Sequence, residues 1–318
     1  MLRRSLHFSA LALGAAFSLL AGAAPSLGQT PLPLRLGVMP IEGAAQAFYA
    51  QEQGFFKAAG LDVTLTVLNN GSSIVAAATG GSLDIGFGSP PPLILARQHD
   101  VPVRYIAYAP VFMGGAPLSA IMVAKGSSIR TGADLNAKIV AVGGLHDVGQ
   151  YQVQSWIDQN GGNSATVQFI EMPYAEMGAA LQAGRISAAG ETEPYITSSK
   201  GVAQVLGSMN AAVANHYLMA GWFSTDGYLQ RNPETARRFI AVMQQTARWA
   251  NAHPKEATAI LVRHTKLDPD VASVMARDYF DESGRPDPKL LQPVIDMLMK
   301  YGKLTPFAAT DLLWTPPR

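Results

Sequence analysis

The 318-residue chain contains no cysteine. That excludes disulfides, thiolate metal sites, a cysteine nucleophile and a lipid anchor on a cysteine. Charge is scarce and balanced, with 24 Lys and Arg against 23 Asp and Glu and a formal net charge of +1. Such a balance gives no reason to expect nucleic acid or an anionic membrane as partner. The six histidines, at positions 7, 99, 146, 216, 253 and 264, form no pair at helical spacing, so no metal site is expected. Gly86-Phe-Gly88 is followed by Pro90-Pro91-Pro92 instead of the spacing a dinucleotide fingerprint needs, and there is no Walker motif. No cofactor is expected.

Long apolar runs are almost absent too. The exception is Leu6 through Leu20, which follows Arg3-Arg4 and precedes the small residues Ala21-Gly-Ala23. That order is the pattern of a secretory signal peptide, and it is too short and weakly flanked for a membrane span. We expect residues 1–23 to be removed near Ala23 and the mature protein to reach the periplasm without stable membrane insertion. A core must then hold the fold unaided, and a chain that is 48% hydrophobic and this long can supply two domains.

What is present is a pattern written nearly twice. Ala76-Ala-Ala-Thr-Gly-Gly-Ser82 leads into Leu83-Asp-Ile-Gly-Phe-Gly-Ser89-Pro90, and Ala179-Ala-Leu-Gln-Ala-Gly-Arg185 leads into Ile186-Ser-Ala-Ala-Gly-Glu191-Thr-Glu-Pro194. Arg35–Val38 is echoed by Ile139–Val142, and Val63–Val67 by Val167–Ile170. Matched elements in one order predict two βαβ lobes facing each other across a cleft, where small ligands bind. We expect lobe one at 34–118 plus 222–318 and lobe two at 119–221, with crossings near Ser119–Val123 and Tyr217–Gly221. Asn232-Pro233-Glu234 is a strong helix start. Helices are expected from about Ala44 to Ala58, from a start at Thr131-Gly-Ala-Asp134-Leu, and at Pro254–His264, Asp268–Phe280 and Pro288–Tyr301, the last three packed on lobe one.

In open α/β sheets, ligands sit at the carboxyl ends of strands. Here those ends are loops rich in glycine and small hydroxyl residues, whose backbone N–H groups can approach a ligand. The candidate binding residues are Pro40, Glu42 and Gln46 in the first loop, Asn70 and Ser72 in the second, and Gly88, Ser89 and Pro90 in the third. The fourth loop and the helix after it offer Gly144, His146, Gln150 and Tyr151, the fifth Glu171, the sixth Glu191, Glu193 and Tyr195. His216 stands at the return crossing. Asp147 and Glu176 are expected to cap helices. Tyr49, Tyr151 or Tyr195 could stack on a planar ligand, and Trp222-Phe223 suit the core equally well. None of these loops carries Lys or Arg, so only Arg104 or Arg185 could reach in from outside. A multiply charged anion would normally draw an arginine fork. The acidic rim suits a ligand with N–H donors or positive charge. No catalytic residue is expected.

Several of these segments carry a family resemblance. Gln51-Glu-Gln-Gly-Phe-Phe-Lys57 with Gly60-Leu-Asp-Val63, then Gly81–Gly86, Ile129–Leu135, Lys138–Val142 and Glu193-Pro-Tyr195, occur in the order seen in solute-binding proteins of ABC importers. The chain resembles the nitrate, sulfonate, taurine and thiamine-pyrimidine group of these proteins over roughly Leu34 to His253. The resemblance implies a type II periplasmic-binding-protein fold that closes on one small solute, with a permease and its ATPase as partners and a monomer in solution. Gly190-Glu-Thr-Glu193 replaces the tryptophan and aspartate of many sulfonate binders, so the solute does not carry over. An aminopyrimidine of the thiamine-precursor kind is expected first and an amino-sulfonate such as taurine second. The pyrimidine synthase and the desulfinases that share the fold depend on cysteine, which this chain lacks. A subunit reporting to a sensor kinase remains an open alternative.

Overall fold

The computed structural model describes residues 30–265, 267–283, 286–302 and 304–315; the expected signal segment lies outside them. The chain opens with β1 (Leu32–Val38), α1 (Gln46–Glu52), α2 (Phe55–Ala58), β2 (Leu61–Val67), α3 (Gly71–Thr79), β3 (Ile85–Gly88), α4 (Pro90–Gln98), β4 (Val103–Tyr108) and β5 (Pro110–Phe112). It continues with β6 (Ser119–Ala124), β7 (Ile139–Val142), α5 (Val148–Gln159), β8 (Gln168–Glu171), α6 (Tyr174–Gln182), β9 (Ala188–Thr192), α7 (Tyr195–Ser199), β10 (Ala203–Ser208), β11 (Tyr217–Leu218) and β12 (Gly221–Thr225). The last part runs α8 (Asp226–Arg231), α9 (Pro233–Ala252), α10 (Pro254–Thr265), α11 (Pro269–Val274), β13 (Tyr279–Phe280) and α12 (Pro288–Tyr301).

Side-chain alternation explains how the strands are covered. In β6, Ala120 and Met122 enter one core cluster while Ile121 and Val123 enter the one on the opposite face. A strand apolar on both faces belongs in the middle of a layered sheet. β2 is different: Leu61 is buried while Asp62, Thr64 and Thr66 are exposed, as befits the edge strand it is.

The two five-stranded sheets share one design. Their orders are β2-β1-β3-β12-β4 and β8-β7-β9-β6-β10. In each, the first three strands are parallel and the fourth runs antiparallel to both its neighbours. The fourth strand is the one that follows a crossing: β6 completes the second sheet, and β12 completes the first. This is the expected α/β class, two βαβ-rich lobes related element by element.

Local chemistry places the helices. The Asn70 side chain accepts Ser73 N at 2.8 Å and starts α3; Asp147 accepts Val148 N at 2.6 Å and starts α5. Each satisfies a backbone donor that the first helical turn leaves free. The helix expected over Ala44–Ala58 is broken in two, because Gly54 takes a left-handed φ of 69°, a conformation glycine adopts without strain.

Three expectations need correction. The helix expected over Asp268–Phe280 stops at Val274, and Met275 turns extended. Tyr279–Phe280 instead pairs with β5, which with β11 makes a three-stranded sheet. Phe280 is buried, and the Asn251 side chain binds both its N–H and its carbonyl. These long-range contacts override the local helical pattern. Thr131–Leu135 forms only a single 3₁₀ turn, since Asp134 turns back to accept the N–H groups of Arg130 and Thr131. Finally, the C-terminal helices do not all stay on the first lobe: α9 packs on α1 and α2, whereas α12 touches α4, β11 and also α5 of the second lobe.

Candidate functional site

The loops that follow β1, β3 and β7, together with the end of β9, line one cavity of about 630 Å³, open mouth included. All four are carboxyl ends of strands, which is where the topology predicts a ligand. Ile41, Phe87, Met209 and Met219 give much of its wall an apolar, adaptable character. Tyr174 adds an aromatic face and is held by stacking on Tyr195, with ring centroids 5.5 Å apart and planes 18° apart.

Three carboxylates line this cavity: Asp147, Glu191 and Asp278. None of the lining residues is Lys or Arg. Glu191 is wholly buried at the end of β9. Ser199 Oγ donates to its Oε1 at 3.1 Å, while Oε2 has no partner within the protein. Loss of water pushes its carboxyl up to about 8, and the nearby Glu193 adds to the rise. Asp278, on the extended segment after α11, has a buried Oδ1 with no partner. Burial, and then the charge of Glu42, raise it to about 8, although Arg277 acts against them. Asp147 is better served, since Ser89 Oγ donates to Oδ1 and Val148 N to the same atom. Burial still raises its carboxyl.

The guanidinium nearest these acids is engaged elsewhere. Arg277 donates to Glu42 Oε1 at 2.6 Å, Tyr49 OH at 3.0 Å and the Pro254 carbonyl at 2.9 Å, and also binds Thr258 Oγ1. Arg104 is held by Asp226 and the Leu313 carbonyl, and Arg185 is exposed. Neither supplies the cavity with positive charge. Among the described residues no three His, Asp or Glu side chains stand close enough to hold a metal ion.

Hydrogen bonds join loops of the two lobes around and beside the cavity. Asn70 Nδ2 donates to Glu171 Oε1 at 2.8 Å, Tyr195 OH to the Pro40 carbonyl at 3.2 Å, and Glu42 N to the Glu193 carbonyl at 3.4 Å. Ser89 to Asp147 is a further link. The loops of the two lobes therefore meet around the cavity.

Of the candidates read from sequence, Ser89 and Glu191 line the cavity. Asn70 and Glu171 instead face a second, more polar depression between Val67 and Pro173. Several others do structural work. Gln46 is fully buried, accepting Trp222 Nε1 at 2.9 Å and donating to the Met243 carbonyl at 3.2 Å. Glu42 holds Arg277, Glu193 accepts Thr197 N and Oγ1 and Ala276 N, and the Gly88 carbonyl accepts Tyr105 OH. Pro40 and Tyr195 bond each other across the rim, Pro90 starts α4, and Gly144 packs beside Asn70 and Asp147. His146 and Ser72 are exposed, and the Gln150 side chain accepts His146 N. His216 is exposed too and is not among the lining residues, contrary to its expected place. Tyr49 and Tyr151 are buried in the main core, so Tyr174 and not they offers the aromatic face. Asp147 does cap α5 as expected, and it lines the cavity besides.

The sequence reading missed Asp278, Gln152 and Tyr174. Tyr174 opens α6 within a loop already marked, so its position was available. Gln152 lies one turn into α5, where only the fold tells the cavity side from the core side. Asp278 sat in what reads as continuous helix, with no local signal.

Comparison with known proteins places the chain. A binding protein of Brucella abortus (strain 2308) is 24% identical over 288 residues, covering 86% of this chain and 87% of that one. A formylaminopyrimidine-binding protein of Halalkalibacterium halodurans is 24% identical over 222 residues, covering 68% of this chain and 64% of its own. The same fold occurs in the ligand-binding component of an ABC-type import system from Staphylococcus aureus, solved with zinc bound. That structure has a TM-score of 0.76 at 16% identity and covers 89% of this chain and 96% of its own. The family model described as NMT1/THI5 like matches residues 43–257, well over half the chain, and the protein belongs to that family.

Proposed function

We propose that this protein is the extracytoplasmic solute receptor of an ABC importer, whose lobes, 34–118 with 222–318 and 119–221, close by hinge motion on one compact nitrogen-containing organic solute. An aminopyrimidine is the first choice and an amino-sulfonate such as taurine the second. The observation that carries this reading is the cavity lined by Ser89, Asp147, Glu191 and Asp278 with no cationic side chain among the lining residues. A nitrate or plain sulfonate would meet three acidic side chains there and no cationic one. An N–H-bearing ring would meet acceptors, an aromatic face on Tyr174 and apolar walls. The protein binds and releases its solute unchanged, with a permease and its ATPase as partners. It is exported by the segment 1–23 and works as a monomer in the periplasm. N-terminal sequencing of exported material should begin near Ala24; an intact Arg3-Arg4 counts against export by this route.

The test is calorimetry against aminopyrimidines, taurine, alkanesulfonates, nitrate and aromatic carboxylates. An aminopyrimidine or taurine should bind, and at a hundredfold excess over Kd it should stabilise the protein by about 2.7 kcal/mol. Tight binding of a plain anion that survives Glu191→Gln would overturn the reading.

A further inference from the structure

Two carboxylates in the cavity each hold a buried oxygen with nothing to bind. Glu191 is entirely shielded from solvent, and its Oε2 has no donor; Asp278 Oδ1 is equally alone. Native proteins rarely leave such atoms unpaired, because a buried acceptor without a donor costs about 1–3 kcal/mol, and more when charged. Neither acid has a helix N-terminus or guanidinium to itself: Glu193 is capped by Thr197, and Arg277 is committed to Glu42. The cavity lining thus includes two acids with a spare carboxylate oxygen and no base, which makes it a place for a cation.

We propose that the solute binds through a protonated nitrogen drawn to the free carboxylate oxygens of this cavity, on Glu191 and Asp278, and that its charge replaces a proton that one of these acids holds before binding. The inference rests on the receptor reading above and narrows it to cationic solutes on a compact, apolar body. The balance is simple. One carboxylic acid of the pair gives its proton to the buffer, and the carboxylate left behind accepts the ammonium or amidinium N–H. The groups facing the pair agree with it. Glu191 is met by Ser199, Glu193 and Tyr174, and Asp278 by Glu42, Glu193, Tyr49 and Tyr217, with Arg277 the single opposing charge. Burial and like charge both favour the protonated acids when the cavity is empty, as the rise of each to about 8 expresses.

The experiment compares an aminopyrimidine bearing an aminomethyl arm with its neutral N-formyl derivative, by calorimetry on the unmodified protein in two buffers of different ionisation heat. Benzylamine against benzyl alcohol serves as a second pair free of the pyrimidine. The cationic member of a pair should bind at least about tenfold more tightly and release up to one proton. Its affinity should fall by up to about tenfold per pH unit from about pH 8 to pH 6. Asp278→Asn and Glu191→Gln should each shrink the preference and the proton release, with a thermal melt to check that they fold. If the neutral pyrimidine binds as well as the cation with no proton release, the charge inference is wrong and the receptor reading stands. If only benzylamine binds, with proton release, the charge inference stands and the aminopyrimidine choice falls. Failure of both cations to bind overturns the inference.

Discussion

Gln46 and Glu191 are both polar, both fully buried and both in loops that the sequence marks, yet only Glu191 has an atom to spare. Gln46 uses its amide in two directions, toward Trp222 and Met243, and so belongs to the core of the first lobe. Gln46→Leu should leave the Trp222 indole N–H unpaired, at a cost of about 1–3 kcal/mol in denaturant unfolding, with ligand affinity changed less than twofold. A large loss of affinity without loss of stability would return Gln46 to the site. Gly143 tests the cavity from the other direction. A Cβ there would lie 2.3 Å from the Tyr174 ring, so Gly143→Ala must displace the ring that forms the aromatic face. We expect about 1–3 kcal/mol of destabilisation together with weaker binding, read by unfolding and calorimetry on the same variant. The carboxylates of the site were legible as a set, because acidic residues in loops without bases stand out. Their division into cavity-lining Glu191 and structural Glu42, Glu171 and Glu193 was not, since each partner comes from a distant element.

At the scale of elements, what local rules control could be read directly. Asn70 before α3, Pro233 in α9 and Pro288 in α12 mark helix starts by their own chemistry, and alternation marks β2. The repeat of β1, β2 and β3 in β7, β8 and β9 was legible for the same reason. The segment after Val274 was not, because its path is set by Asn251 and β5, far away in sequence. The first turn of α3 offers a test that separates capping from lobe contact. Asn70→Asp retains a good cap, since aspartate accepts an N–H as asparagine does, but it sets a carboxylate against Glu171, now 2.8 Å from the Asn70 amide. Unfolding stability should change by less than about 1 kcal/mol, while small-angle scattering should show a larger radius of gyration. An unchanged radius would mean that this contact does not help hold the lobes closed.

For the whole molecule, the buried acids tie stability to pH. Glu191 and Asp278 are raised to about 8 in the folded protein, above the range they have in the unfolded chain. Such groups contribute stability that is fully present below their unfolded pKa and lost as pH rises through the folded value. The ligand-free protein should therefore melt at progressively lower temperature from about pH 5 to pH 8 and level off above about pH 9. Glu191→Gln should flatten that slope. A melting temperature that rises steadily over this range would contradict the burial of these acids. Bound cation should also reduce the decline, because it stabilises the one carboxylate that ionises.

The account stands or falls on where the solute lies, and a crystal structure with the tightest-binding cation of the panel answers that most directly. The account predicts density in the cavity between the ends of β1, β3, β7 and β9, with a nitrogen within hydrogen-bonding distance of Glu191 or Asp278 and a flat face against Tyr174. Density in the depression beside Asn70 and Glu171 instead, with Glu191 and Asp278 untouched, would contradict it.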